Sequence, residues 1–292
     1  MARRVMLIVN VNRPSAAATA RQVEAGLQAR GIEICDEHST DPVELVLVFG
    51  GDGTILWASQ FARDNDVPLL GVNAGHMGFL AEAEICSLDQ VITSVAEETY
   101  TVEERMTLEL DVYRPGQEPI QDWAINEAAI LRTDLAHPAH LGVGVDGQGV
   151  STYGADGIIL STPTGSTAYS FSAGGPVVWP DTEAVLMVPL AAHGLFTRPL
   201  LVGPHSQLEV SVLPDQWAPL EIWCDGIRCI ETPAGTRIEC RPSPRPVKLA
   251  RISITPFSAR LVAKFNLPVT GWRHQNSEDV PSHPGHREAP TQ

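Results

Sequence analysis

The apolar positions of this chain change period part-way along it. Val5 to Val11 reads as a strand, and Leu45-Val46-Leu47-Val48-Phe49 is a continuous apolar run, the pattern of a strand covered on both faces. Between them Ala20, Val23 and Leu27 recur at helical spacing, and Gly31 can end that helix. Ile55, Leu56, Ser59 and Ala62 mark a second helix, and Pro68-Leu69-Leu70-Gly71-Val72 a third buried strand. A further helix is expected from Ser87, capped by that residue with Gln90 in a capping box, with Leu88, Val91, Ile92 and Val95 as its apolar face. Strand and helix alternate through residues 1–105, which predicts an α/β domain with a parallel sheet.

From residue 106 the period becomes two. Leu108, Leu110 and Val112 alternate with Glu109 and Asp111, and a turn follows at Pro115-Gly116. Trp123 to Leu131, Leu141 to Val145, Gly157 to Ser161, Val185 to Leu190, Leu208 to Leu213 and Leu220 to Ile230 read as strands between turn residues. Residues 106–247 are therefore expected to form a β-rich domain. Lys248 to Ile254 reads as another strand, and Leu261, Val262 and Phe265 share a helical face. The tail, 273–292, holds three prolines and almost no aliphatic residues, so it is expected to stay disordered.

The 292 residues suffice for two cored domains. A net charge of -15 argues against a general binder of nucleic acid or anionic membrane and favours small-molecule partners. No apolar stretch reaches the roughly 20 residues that span a bilayer, and Met1-Ala2-Arg3-Arg4 leads into a strand and not a signal peptide. A cytoplasmic protein is expected. Cys35, Cys86, Cys224, Cys229 and Cys240 contain no CxxC pair, so reduced thiols and no structural metal are expected.

The segment Gly50-Gly51-Asp52-Gly53-Thr54 joins a buried strand to a helix. Such a turn aims backbone N–H groups and the positive end of a helix dipole at one point, which suits phosphate. An ionised Asp52 would repel phosphate unless a cation intervenes or its carboxylate faces a hydroxyl whose proton it accepts. Asp52 is thus a candidate base, although an ordinary helix cap explains the turn taken alone. A P-loop is excluded because the only lysines, Lys248 and Lys264, lie outside any glycine loop, and no GxGxxG follows the first strand.

Asn126-Glu127 interrupts the apolar run from Trp123 to Leu131. A carboxylate there must meet a partner or open onto a cavity, and adjacent strand residues share one ligand only at a bulge or strand end. Thr162-Pro163-Thr164-Gly165-Ser166-Thr167-Ala168-Tyr169-Ser170 describes a second strand-to-helix turn. Its hydroxyls suit sugar and base edges, and Tyr169 can stack on a flat ring. With Asp156 just upstream, the combination points to a nucleoside site.

GGDGT at 50–54, NAGHMGF at 73–79, NE at 126–127, DG at 156–157 and STPTGSTAYSFSAGGP at 161–176 resemble, in order, the motif set of the NAD kinases, particularly actinobacterial ones. The likeness covers residues 1 to about 272. GGDGT alone also occurs in diacylglycerol, sphingosine and 6-phosphofructo-kinases, so NE and TPTGSTAY carry the specificity. The resemblance implies transfer of the terminal phosphoryl of ATP, or of polyphosphate, to the 2′-hydroxyl of the adenosine ribose of NAD, with Mg²⁺ or another divalent cation accompanying the donor. It implies that Asp52 is the proton acceptor, with Gly53 at the NAD diphosphate. It also implies that Asn126 and Glu127 hold the adenosine end, and that Asp156, Thr164, Thr167, Ala168, Tyr169, Ser170, Phe171, Ser172 and Ala191 complete the dinucleotide contacts. It implies a homodimer or homotetramer, and a C-terminal segment, 248–272, that rejoins the α/β domain. Two departures stand out. Gly154 occupies a place where some members have arginine, and the short stretch Ile32 to Glu44 leaves room for one helix fewer. A lipid kinase sharing GGDGT, which has no use for Asn126-Glu127, a non-catalytic NAD sensor and a generic nucleotide-fold scaffold are the other readings.

Overall fold

A computed structural model describes residues 3–72, 78–81, 87–253 and 255–269. Its first elements are β1 (Arg4–Val9), α1 (Pro14–Gln28), β2 (Glu33–Cys35), β3 (Leu45–Phe49), α2 (Asp52–Asp64), β4 (Leu69–Val72), α3 (Leu88–Glu97) and β5 (Thr101–Arg105). Strands β6 (Leu108–Tyr113), β7 (Ile120–Ala124), β8 (Glu127–Arg132), β9 (Ala139–Val145), β10 (Gln148–Ala155) and β11 (Gly157–Ser161) follow. After a 3₁₀ turn (Thr164–Thr167) and the short helix α4 (Tyr169–Ser172) come β12 (Val185–Leu190), β13 (Leu200–Val202), β14 (Leu208–Val212), β15 (Leu220–Cys224), β16 (Arg228–Thr232), β17 (Arg237–Pro242), β18 (Val247–Arg251) and α5 (Phe257–Phe265).

The first sheet has the order β2-β1-β3-β4-β18-β5 and is parallel except where β18 meets β5. All five residues of β3 are buried, because helices cover both faces. Val5, Leu45, Leu47 and Phe49 pack with Val23 and Leu27 of α1 and with Val91, Ile92 and Val95 of α3. The alternate residues Met6, Ile8, Val46 and Val48 meet Ile55, Ala58 and Ala62 of α2 on the other face. Of the apolar set expected on α2, Ile55, Ser59 and Ala62 are buried, while Leu56 is only partly so.

Two antiparallel sheets, β10-β9-β14-β17-β6-β7 and β13-β12-β11-β8-β15-β16, close on a shared core that includes Leu110, Ile130, Leu141, Leu160, Met187 and Ile222. An α/β unit with a largely parallel sheet and a β-rich unit are thus both present.

Four local expectations need correction. Trp123 to Leu131 is two strands, β7 and β8, belonging to different sheets, with Ile125 and Asn126 forming the bend between them. Leu220 to Ile230 is a hairpin, because Asp225 (φ +53°) and Gly226 (φ +67°) take left-handed conformations and turn the chain back. Ser87 precedes α3 without a side-chain capping bond; its carbonyl accepts the Gln90 N–H at 2.8 Å instead. The helical face of α5 is only partly covered, since Leu261, Val262 and Phe265 are half-buried. Between α1 and β3 the chain forms only the short edge strand β2, with no helix.

Candidate functional site

Two groups of residues make the site and a third lies apart from them, and each is placed by the end of a buried strand. Asp52 is the first residue of α2, directly after β3, and Gly51 rather than Asp52 occupies the capping position. The Asp52 carboxylate turns away from its own helix. Its Oδ2 accepts the Phe79 N–H at 3.1 Å and its Oδ1 the Leu80 N–H at 3.3 Å. Gly78 lies so close to this carboxylate that only a residue lacking Cβ fits there. The rest of that motif, 73–77, lies outside the described residues. Beside Asp52 a cleft of about 670 Å³ is lined by Asn10, Arg13, Gly51, Gly53, Thr54 and Trp57. Arg13 is exposed and its guanidinium lies over Gly51, while Asn10 donates to Thr54 Oγ1 at 3.1 Å. Gly53 is exposed to open space. A helix N-terminus, a guanidinium and a fixed carboxylate thus converge on one opening, a combination that receives phosphate next to a proton acceptor.

The second group forms where the chain crosses between the antiparallel sheets. Asn126 and Glu127 sit at that crossing, each 8% exposed. The bend lets these neighbours serve one site, which a regular strand forbids. It is held from two sides. Thr162 Oγ1 donates to the Ile125 carbonyl at 2.6 Å, and the Asn126 carbonyl accepts the Thr162 N–H at 2.9 Å. Gly165 packs on the Asn126 carbonyl at a distance that excludes any side chain. From the other side, the Asp225 carboxylate accepts the N–H groups of Ile125 at 3.0 Å, Asn126 at 2.7 Å and Glu127 at 3.4 Å.

Glu127 Oε2 is buried and, among the described residues, has no hydrogen-bond partner. Burial first, and the charge of Asp225 second, push the Glu127 carboxyl up to about 8, against the opposing effect of the Tyr169 N–H. Asp225 is itself raised by burial, opposed by the three N–H bonds and by Arg228. A carboxyl with one oxygen unpaired beside a polar bend is equipped to bind an incoming polar group.

Thr164, Thr167, Ala168 and Tyr169 continue from this cluster, with Tyr169 half-exposed and its N–H on Glu127. Several hydroxyls of the loop serve the loop itself. Ser166 is fully buried, donating to the Pro163 carbonyl at 2.7 Å and accepting the Val178 N–H at 2.9 Å. Ser170 is fully buried as well, whereas Phe171 and Ser172 are exposed. Phe171 stacks at 4.5 Å on Phe265 of α5, and Phe265 lies 5.8 Å from Phe79, beside the Asp52 carboxylate. The first two groups are therefore joined through α5.

Asp156 and Ala191 form a third group at the opposite end of β11. The six residue-to-residue steps from Asp156 to Thr162 correspond to roughly 20 Å of extended chain, so the fold does not bring this pair to the Asn126 bend. The Asp156 N–H bonds the Leu190 carbonyl at 2.9 Å, and Ala191 follows with φ +45°. Gly154 offers no side chain; the guanidinium on Asp156 belongs to Arg132, at 2.8 Å. Sequence reasoning passed over Arg13, Asp225 and Arg132. Asp225 had a signal, the Asp-Gly pair of a hairpin turn.

Residues 35–100 match the ATP-NAD kinase N-terminal domain and residues 125–252 the ATP-NAD kinase C-terminal domain. The chain belongs to the NAD kinase family. It is 47% identical to "NAD kinase 2" of Streptomyces coelicolor over 93% of this chain and 97% of that one. It is 43% identical to the NAD kinase of Mycobacterium bovis over 93% and 98%. In fold it is similar to an Archaeoglobus fulgidus NAD kinase solved in complex with ATP, with a TM-score of 0.66 and 25% identity over 85% of this chain and 93% of that one. Yeast NADH kinase complexed with NADH shares the fold at a TM-score of 0.79 over 91% and 87% of the chains, at 22% identity. Membership makes the chain a phosphotransferase that acts on the NAD 2′-hydroxyl. A lipid kinase is set aside, since the matched C-terminal domain contains the NE and TPTGSTAY segments.

Proposed function

We propose that Asp52 accepts the proton of the adenosine-ribose 2′-hydroxyl of NAD as that oxygen attacks the terminal phosphorus of ATP, giving NADP and ADP. The observation that carries this reading is the Asp52 carboxylate, fixed by two backbone N–H groups at the mouth of a cleft shaped for phosphate. Each oxygen accepts one N–H bond and retains a lone pair for the hydroxyl proton. The O2′–P bond forms as the bond from that phosphorus to the ADP oxygen breaks, so the protein's task is positioning and charge neutralisation.

The adenosine end of NAD is placed at Asn126, Glu127, Thr164 and the Thr167–Ser172 stretch, with its diphosphate near Gly53. The donor phosphates lie in the cleft beside Arg13, and polyphosphate is a second donor that the same cleft accommodates. Mg²⁺ or another divalent cation would enter with the donor and offset the charge of its phosphates. Asp156 and Ala191 serve a dinucleotide bound mainly by a neighbouring copy in a homodimer or homotetramer, which their separation from the Asn126 bend favours. A cytoplasmic location accords with the free thiols of Cys35, Cys224, Cys229 and Cys240. Among the described residues no helix is long and apolar enough to cross a membrane.

The test is direct. Purified protein is supplied with Mg²⁺, NAD or NADH, and ATP or polyphosphate, and NADP(H) is read by a coupled dehydrogenase. Formation of NADP from NAD and ATP is expected. Binding of NAD without turnover under every donor would instead establish a sensor.

A further inference from the structure

Asp225 stands about a hundred residues along the chain from the bend it contacts, and its role in a turn does not explain its placement. A left-handed turn residue needs only a tolerant backbone, which Asp, Asn and Gly all supply. Asp146 shows the ordinary case. It holds φ +52° in the β9–β10 hairpin and spends its exposed carboxylate on Ser206 and Gln207 at the surface. The side chain of Asp225 is 0% exposed. Burying a carboxylate is costly unless bonds offset it, and its nearest cation, Arg228, stands 3.7 Å away and is also engaged by Asp122 at 2.8 Å.

Three N–H donors converge on that carboxylate, and their origin explains why. Where the chain leaves one sheet for the other, Ile125 and Asn126 lose the ladder partners that strand residues enjoy. Buried N–H groups require an acceptor, and Asp225 provides one for both and for Glu127. The Asp225 N–H in turn donates to the Glu127 carbonyl at 2.9 Å, so the turn and the bend are bonded in both directions. The Arg228 guanidinium extends the link. It stacks on Trp123 at 4.8 Å and bonds the Trp123 carbonyl, and Arg63 of α2 covers the same ring at 4.4 Å. The helix that begins at Asp52 is thus tied at its other end to the turn that holds Asn126 and Glu127.

We propose that Asp225 is a positioning residue for dinucleotide binding, its carboxylate fixing the Ile125–Glu127 bend so that Asn126 and Glu127 present their side chains to the adenosine ribose. Asp225 touches no substrate itself. The inference rests on the assignment of NAD to the Asn126 bend, and its test is arranged so that the two fail separately.

The variant is Asp225→Asn, which keeps the size and the left-handed turn but replaces one acceptor oxygen with a donor facing N–H groups. KM for NAD should rise ~10-fold or more, the factor that corresponds to ~1.4 kcal/mol of lost interaction. KM for ATP and kcat at saturating NAD should each stay within ~3-fold, because the donor cleft is untouched. Asp225→Gly, which keeps the left-handed turn but supplies no acceptor, should raise KM for NAD at least as far as Asp225→Asn. An unchanged KM for NAD in folded Asp225→Asn overturns the proposal. So does a fall in kcat with both KM values rising together, the mark of a merely structural role. If Asp225→Asn does not fold, the wild-type protein decides. Its Ile125 and Asn126 amide protons should resonate downfield, and normal amide shifts would refute the carboxylate contact. Wild-type protein that makes no NADP at all would refute the kinase assignment instead, leaving the amide shifts as the separate reading of Asp225.

Discussion

Gly78 lies against Asp52 so closely that a Cβ on it would stand 2.1 Å from Oδ1 and 2.7 Å from the carboxyl carbon. The proposed base is thus held by one segment, 78–80, through the packing of Gly78 and the N–H groups of Phe79 and Leu80. Gly78→Ala should displace the carboxylate while leaving the Asn126 bend intact. A loss of ~100-fold in kcat is expected, the scale of a misplaced catalytic group, with NAD affinity by calorimetry nearly unchanged. Wild-type turnover from Gly78→Ala would show that the contact carries no catalytic weight.

Asp52→Asn tests the chemistry without disturbing the shape. The amide cannot take up a proton, so turnover should drop at least ~100-fold, the low end for general-base catalysis. The fold and most NAD binding should persist. Near-normal turnover would reject the role of Asp52.

Arg13→Ala addresses the donor side. Its guanidinium lies over Gly51 at the cleft, so KM for ATP should rise ~10-fold, equivalent to one lost charge-assisted contact. KM for NAD should not move. A rise in KM for NAD with KM for ATP unchanged would assign the Arg13 contact to NAD and not to the donor.

The raised Glu127 carboxyl makes stability depend on pH. In the folded protein it holds its proton up to about 8, whereas in the unfolded chain glutamate releases it near ~4.3. The folded state therefore binds more protons in that window, and stability is full below ~4.3 and is lost as pH rises towards about 8. Glu127→Gln removes the titration. Denaturant midpoints should fall less steeply with pH in that variant than in wild type, and at alkaline pH the variant should be the more stable of the two. Identical slopes would contradict the shift.

Gly165→Ala would drive a methyl into the Asn126 carbonyl, 2.1 Å from its oxygen. Overpacking of this kind costs about 1–3 kcal/mol, and KM for NAD should rise as the bend moves. Thermal unfolding and steady-state kinetics at varied NAD check both effects.

Much of this arrangement is legible in the sequence, for identifiable reasons. The strands Leu45–Phe49, Gly157–Ser161 and Val185–Leu190 fall where the apolar runs place them, because each is covered on both faces or bounded by turn residues. Asp52, Asn126, Glu127 and the Thr164 loop carry polar groups where apolar ones would pack better, so they stand out. The split at Asn126 was hidden because the residues on both sides stay apolar while the chain changes sheets. Strand β10 was hidden because Gln148-Gly149-Val150-Ser151 gives little alternation to read, whereas β17 does alternate, with Ile238 and Cys240 buried, but is short and set among prolines. Asp225 was hidden by distance: nothing local says that its carboxylate serves three amides about a hundred residues earlier.

The place of β18 between β4 and β5 bears on how the molecule is made. Val247, Leu249 and Ala250 are buried in the α/β unit, although they leave the ribosome after the whole β-rich unit. Until they arrive, β4 and β5 flank a gap and the early-synthesised half exposes the edges of an unfinished sheet. That half cannot mature as an independent body during translation; its completion waits on one of the last strands to emerge, which makes the nascent chain a natural client for chaperones.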